Sequence, residues 1–374
     1  MSEQRNRFID HAVAGVRALH PYQPGKPISE LERELGIGDI AKLASNENPL
    51  GPSPAALEAV RAAADEVWLY PDGNGFALKE KLAAKHGVEL DQITLGNGSS
   101  DLLEFVVRVF AAPGDEVLFS EHSFAIYPLV AQAVGATGVA APAKEWGYDL
   151  HALRAYMSDE TKVIFIANPN NPTGTWLNGE ELEAFIEWVP EQIIVVIDEA
   201  YFDYAHHLAG EQGYPNTIDW VERYPNLLVT RTFSKSYALA GLRVGYGISH
   251  PDLAALLNRV RPPFNVNTLA LVGAEAALAD EEHLRRSVEL NAAGMQQLIE
   301  GVEALGLDYI PSVGNFLSID VGREGAALFD ALLRQGVIVR PVANYGMPHH
   351  LRVSIGLEAQ NARFLRALAK VLAD

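Results

Sequence analysis

From Ile93 to Thr230 the chain repeats one pattern: a short apolar run, a polar turn, then an amphipathic stretch with apolar residues three and four apart. The runs are Ile93-Thr94-Leu95, Glu116-Val117-Leu118-Phe119, and residues 162–167, 193–197 and 227–230. Between them lie DLLEFVVRVFA, FAIYPLVAQAVG, LHALRAYM and GEELEAFIEWV. A wholly apolar strand needs cover on both faces, and parallel neighbours need a crossover that is usually helical. The pattern therefore predicts an α/β fold with a mostly parallel sheet between helices. Pro262-Pro263 ends the alternation, and a long helical stretch over 267–306 follows. SVGNFLSIDV, GVIVRPV and HLRVSIG then read as strands with two helices, a smaller α+β domain.

Ahead of the alternation, His20-Pro21-Tyr22, Pro24-Gly25, Pro27, Asn48-Pro49, Gly51-Pro52 and Pro54 crowd residues 20–54. Such punctuation predicts an extended arm holding one short helix, ISELERELG, with helical spacing resuming at about Ala55. The expected division is an arm over 1–45, a large domain over 46–265 and a small domain over 266–374.

Composition narrows the partners. Among 374 residues, 48 acids face 29 bases, a net charge of −19, which repels nucleic acid and anionic membranes. The chain has no cysteine, so disulfides, iron–sulfur clusters and thiol nucleophiles are excluded. MSEQRNRFIDHAVAGVR lacks the apolar core of a secretory signal, and no apolar run of about 18 residues is present. The expectation is a soluble, cytoplasmic protein.

Ligands of such sheets bind beyond the carboxyl ends of the strands, and four polar clusters fall there. Gly96-Asn97-Gly98-Ser99-Ser100-Asp101 precedes a helix; freed amides and hydroxyls make an anion site, although Ser or Asp also caps helices. The stretch lacks the third glycine of a dinucleotide fingerprint. Asn168-Pro169-Asn170-Asn171-Pro172-Thr173-Gly174 reads on its own as a turn-rich loop. Asp198 follows five apolar residues and so is expected to be buried and in need of a partner, or else to cap a helix. Lys235, in Arg231-Thr232-Phe233-Ser234-Lys235-Ser236-Tyr237, lies among small, hydroxyl-bearing and apolar residues, where an amine can have its charge disfavoured and serve as a nucleophile, although surface lysines vastly outnumber catalytic ones. Together with Arg243 these are the parts a pyridoxal phosphate site requires: an amine, an anion for the ring nitrogen, and donors for a phosphate. The adjacent pairs His206-His207 and His349-His350 lack metal-ligand spacing, so no metal is expected.

Asn171-Pro172-Thr173-Gly174, Asp198-Glu199-Ala200-Tyr201, Ser234-Lys235 and Gly241-Leu242-Arg243 resemble, in order and spacing, the fold-type-I pyridoxal-phosphate aminotransferases. Pro21-Tyr22-Gln23-Pro24-Gly25-Lys26, residues 43–49, Arg340 and Arg352 bring the resemblance nearest to the histidinol-phosphate aminotransferase family. That resemblance implies pyridoxal 5'-phosphate as cofactor and Lys235 as its Schiff-base residue and proton carrier. Asp198 would pair with the ring nitrogen, Asn171 and Tyr201 would bond the ring's 3-oxygen, and Phe124 would stack on the ring. Gly98, Ser99, Ser100, Ser234 and Arg243 would hold the phosphate. Tyr70 would reach the neighbouring subunit's cofactor, which implies a homodimer with shared sites and an arm packed on the small domain and the partner. Arg352, with Arg340, Tyr22 and Asn46, would bind substrate. The implied reaction converts histidinol phosphate and 2-oxoglutarate to imidazole-acetol phosphate and glutamate, a step of histidine biosynthesis. The alternative is an aromatic amino acid aminotransferase acting on Phe or Tyr; threonine-phosphate decarboxylation and a non-catalytic cofactor-binding regulator stand further off. A DNA-binding regulator would need a basic helix-turn-helix domain for which this acidic chain has no room.

Overall fold

The computed structural model describes residues 6–21 and 25–373. A two-residue strand, β1 (Ala41–Lys42), comes first. The large sheet then follows in chain order: β2 (Ile93–Gly96), β3 (Glu116–Ser120), β4 (Thr137–Ala141), β5 (Thr161–Ala167), β6 (Ile194–Asp198), β7 (Leu227–Thr232) and β8 (Gly245–Ser249). Their spatial order is β2-β8-β7-β6-β5-β3-β4, and only β8 runs against the rest. The central strands are apolar on both faces because helices cover both. Val195, Val196 and Ile197 are fully buried, each contributing roughly 1.5–3 kcal/mol.

Five apolar runs became β2, β3, β5, β6 and β7, while two strands had escaped notice. β4 is the sheet's outer edge and reads Thr-Gly-Val-Ala-Ala, mostly exposed, so it has no apolar run to show. β8 reads Gly-Tyr-Gly-Ile-Ser, and its glycines answer to packing: a Cβ on Gly245 would sit 2.5 Å from the Ser99 amide nitrogen. The helical stretch over 267–306 is two helices, Thr268–Ala279 and Glu281–Ala304, because the Asp280 side chain accepts from the His283 amide and caps the second.

The small sheet holds β9 (Asp308–Ile310), β10 (Phe316–Asp320), β12 (Arg340–Pro341) and β13 (His350–Ser354), all antiparallel, in the order β12-β13-β10-β9. The run GVIVRPV splits between two partners: β11 (Val337–Ile338) pairs in parallel with β1, and β12 pairs with β13. Through β1 the arm joins the small sheet's side of the molecule. The arm holds a single α-helical turn, Ala14–Arg17, besides the expected helix, Ile28–Leu35, which stops at Gly36 (φ 64°) and buries Leu31 against Ala44, Leu333 and Ile338.

Candidate active site

The connections leaving β2, β3, β5, β6 and β7 at their carboxyl ends all line one cavity. Its other wall comes from Ala44, Ser45 and Asn46 and from Arg340 and Arg352 of the small sheet. This is where a parallel sheet leaves room for a ligand.

Asp198 ends β6 between Ala167 of β5 and Thr230 of β7. Tyr127 Oη donates to its Oδ2 at 2.9 Å and Thr230 Oγ1 to its Oδ1 at 3.2 Å. Burial pushes the carboxyl up to about 6, although both of those hydrogen bonds pull the other way. A buried acid held only by neutral donors is poised to meet a cation. Lys235 lies in the loop after β7, and its Nζ donates to the Ser45 carbonyl at 3.2 Å. Burial lowers the amine to about 8, Arg352 and Arg243 push it the same way, and Glu47 and Asp198 oppose them. Near neutral pH it is neutral, and so nucleophilic, far more often than a surface lysine.

At the β2 end, the helix Ser99–Phe110 starts without a side-chain cap, since its N-cap is Gly98. Gly98 is required there on two counts: its φ is 84°, and a Cβ would fall 2.3 Å from Arg243 Nη2. Arg243 Nη1 donates to Ser234 Oγ at 3.2 Å and Ala240 O at 3.1 Å, both neutral acceptors. Asp101, in the helix's first turn, accepts from the amide of Asn97 and from Asn265. An uncapped helix start beside such a guanidinium attracts an anion.

A second anion position lies opposite. Arg352 is buried in β13, its Nη2 donating to Ala44 O at 2.8 Å and its Nη1 to Asn171 Oδ1. Its Nε has no hydrogen-bond partner, and the acceptors its other nitrogens meet among the described residues are neutral. Arg340 sits directly opposite Arg352 across the β12–β13 pair. Tyr201, at the start of the helix Phe202–Ala209, accepts from Asn46 Nδ2 at 2.9 Å.

The structure thus gathers Lys235, Asp198, Tyr201, Asn171, Phe124, Ser99, Ser100, Ser234, Arg243, Asn46, Arg340 and Arg352 around one cavity, with Gly98 behind Arg243. It does not bring in Tyr70, which is 82% exposed and stacks on Phe264 at 4.7 Å outside the cavity. Tyr22 lies outside the described residues. Several contributors had gone unread. Tyr127 stacks on Phe165 at 4.5 Å and holds Asp198, yet in an apolar helical stretch it reads as an ordinary core tyrosine. Thr230, Ser45 and Ser354 carry no sequence signal beyond being small and polar. Glu199 forms a buried ion pair with Arg231 (2.6 Å) just behind Asp198, tying the ends of β6 and β7.

The residues present fit pyridoxal phosphate on the chemistry of their donors: a buried amine, a buried acid whose side-chain hydrogen-bond donors among the described residues are neutral, and an anion cradle, all facing one space. The profile described as aminotransferase class I and II matches residues 38–368. Histidinol-phosphate aminotransferase 2 of Pseudomonas fluorescens is 60% identical, covering 98% of both chains. Histidinol-phosphate aminotransferase 1 of Nitrosococcus oceani is 57% identical, with 98% of both covered. The crystal structure of histidinol-phosphate aminotransferase from Sinorhizobium meliloti in complex with pyridoxal-5'-phosphate superposes with a TM-score of 0.87, at 30% identity and 97% coverage of each chain. The chain belongs to this family, the histidinol-phosphate aminotransferases of class I and II.

Proposed function

We propose that the protein is a pyridoxal-phosphate-dependent aminotransferase exchanging the amino group of histidinol phosphate with 2-oxoglutarate. The observation that carries this reading is the pairing of Lys235 and Asp198 in one cavity that also holds the guanidiniums of Arg243 and Arg352. Lys235, Asp198, Asn171, Tyr201 and Phe124 hold the cofactor's ring end; Gly98, Ser99, Ser100, Ser234 and Arg243 hold its phosphate. When bound, the cofactor supplies a carbonyl carbon for the migrating amino group and a ring that withdraws electrons. Lys235 Nζ, its pKa lowered by burial, takes the proton from the substrate's α-carbon. Asp198, as a buried anion, would favour the protonated form of the cofactor's ring nitrogen. Arg352 binds the substrate's distal anion, and a planar guanidinium serves a phosphate and a carboxylate equally well, so one site takes both substrates in turn. The names of the 57–60% identical relatives support histidinol phosphate as the amino donor.

With 2-oxoglutarate as acceptor, kcat/KM for histidinol phosphate is expected to exceed that for phenylalanine by about 100-fold or more, the worth of a buried charge-assisted contact. Arg352→Ala is expected to raise KM for both histidinol phosphate and 2-oxoglutarate. A preference for phenylalanine assigns the aromatic activity instead, and carbon dioxide release from phosphothreonine overturns both. Loss of the amino donor alone in Arg352→Ala moves the anion site elsewhere.

The reading includes a homodimer. Val67, Trp68, Leu69, Tyr70, Phe76 and Phe264 are exposed apolar side chains, with Trp68 79% exposed, more than a monomer of this size scatters in one stretch. A second copy related by a two-fold axis covers that face and carries Tyr70 to the neighbouring phosphate cradle. Trp68→Glu is expected to sediment as a monomer and lose activity; a dimer that persists places the interface elsewhere.

A further inference from the structure

Residues 43–46 are tied to the small sheet yet end inside the cavity. Leu43 N donates to Ile338 O at 2.7 Å, and Ser354 N donates to Leu43 O at 2.9 Å. The next three residues each touch a residue of the site. Ala44 O accepts from Arg352 at 2.8 Å, Ser45 O from Lys235 Nζ at 3.2 Å, and Asn46 Nδ2 donates to Tyr201 Oη at 2.9 Å. Asn46 has φ 54°, a left-handed conformation that asparagine tolerates better than most residues. Its amide nitrogen donates to Ser354 Oγ at 2.8 Å, its Oδ1 is 2.9 Å from the same hydroxyl, and its carbonyl accepts from Asn315 Nδ2 at 2.9 Å. Asn46, Ser354, Asn315 and Tyr201 are all buried.

A serine hydroxyl has one proton. The Asn46 backbone N–H can only donate, so Ser354 Oγ accepts there and sends its own proton to Asn46 Oδ1. With Oδ1 so occupied, the amide's NH2 end is the one that faces Tyr201. Reversing the amide would strip the Ser354 proton of this acceptor in a buried site, a cost that keeps the amide as it is. We propose that Ser354 is a positioning residue for Tyr201: it fixes the Asn46 amide so that the phenol oxygen accepts from Asn46 and the phenol proton is directed into the cavity. This rests on the reading above that Tyr201 faces the cofactor's 3-oxygen. Ser354 lies two residues from Arg352 on the same face of β13, so the relay shares a strand with the arginine that binds substrate. The groups facing Tyr201 are Arg352 from β13, Asp198 from β6, Tyr345 from the turn Ala343–Tyr345, and Lys235, whose Nζ lies 5.5 Å from the ring centroid. Burial pushes the phenol up to about 12, with Arg352 and Asn46 pulling down, so it stays a proton donor throughout the working pH range.

The test is a pH titration of the holoenzyme's cofactor absorbance in wild type, Ser354→Ala, Ser354→Thr, Tyr201→Phe and the Ser354→Ala/Tyr201→Phe double variant. A donor aimed at the ring oxygen favours the deprotonated chromophore, so its loss raises the midpoint. Ser354→Ala is expected to raise it by about half a unit, roughly threefold in the equilibrium. Tyr201→Phe is expected to raise it more, and Ser354→Thr, which keeps the hydroxyl, to restore the wild-type value. In the Tyr201→Phe background, adding Ser354→Ala is expected to change nothing, since the effect passes through the phenol. A Ser354→Ala shift that is absent, or equally large without the phenol, overturns the relay while leaving the placement of Tyr201 standing. A midpoint unmoved in Tyr201→Phe overturns that placement and the relay with it.

Discussion

Lys235→Ala is expected to lower kcat by about 10⁴-fold or more, the range reached when a nucleophile and proton carrier are removed together. Lys235 is the only lysine lining the described cavity, and no histidine lines it either. The remaining acid–base groups there are poor substitutes: burial raises Tyr201 to about 12, and Asp198 is held by Tyr127 and Thr230. The alanine protein should still take up pyridoxal phosphate, because Arg243, the uncapped helix start and Asp198 are untouched. The covalent link is what disappears. Borohydride reduction followed by mass measurement is expected to leave the coenzyme attached to wild type and free in the variant. Activity within tenfold of wild type, or a coenzyme still fixed by borohydride, would move the amine to another residue.

The parts of this site that were legible in the amino-acid order are those whose chemistry clashes with their surroundings. Asp198 stands out because a carboxylate at the end of a wholly apolar run has to be buried, and β6 buries it. Lys235 stands out only in company, through the glycine-rich turn at Gly98 and the arginine at 243. What stayed illegible is direction. Asn46 lines the cavity as a substrate residue would, but nothing in the sequence shows that its amide points to Tyr201 and Ser354, the latter 308 positions away. That contact depends on how β1 joins β11 and how β13 lies between β10 and β12, pairings set by tertiary packing. Tyr127 was hidden for the opposite reason: its ring does pack in the core against Phe165, and only its hydroxyl is functional. β4 and β8 were missed because an exposed edge and a glycine-lined neighbour of a helix start both lack an apolar run. Tyr70 is exposed beside Trp68, away from the cavity of its own chain, so its expected role is one that a single chain cannot display.

Asp198 yields two effects of opposite sign. In the loaded enzyme, Asp198→Ala is expected to cut kcat/KM by about 10³-fold or more, since a fixed charge in a water-poor site acts far more strongly than the same charge in solvent. Near-normal turnover would show that the ring nitrogen is served by another group. In the cofactor-free protein the same carboxylate is a burden, because burial raises its pKa from 3.8 to about 6 and, among the described residues, no cation is hydrogen-bonded to it. Below about pH 3 the acid is protonated in folded and unfolded chains alike and costs nothing. As pH rises from about 4 to 6 the unfolded chain has released its proton while the folded protein still holds it, so stability falls across that window and stays lower above it. The shift corresponds to a cost on the order of 3 kcal/mol. Asp198→Asn keeps the shape and can still accept from Tyr127 or Thr230, so it isolates the charge where alanine would strand both hydroxyls. Thermal melts of the cofactor-free proteins should therefore coincide near pH 3 and separate by pH 8, with the asparagine variant the more stable. Equal melting at pH 8 would mean that the carboxylate is not stored at a cost until its partner arrives. The separation, together with the loss of turnover, would tie the two effects to one cause: a buried charge at Asp198 that a bound cation neutralises.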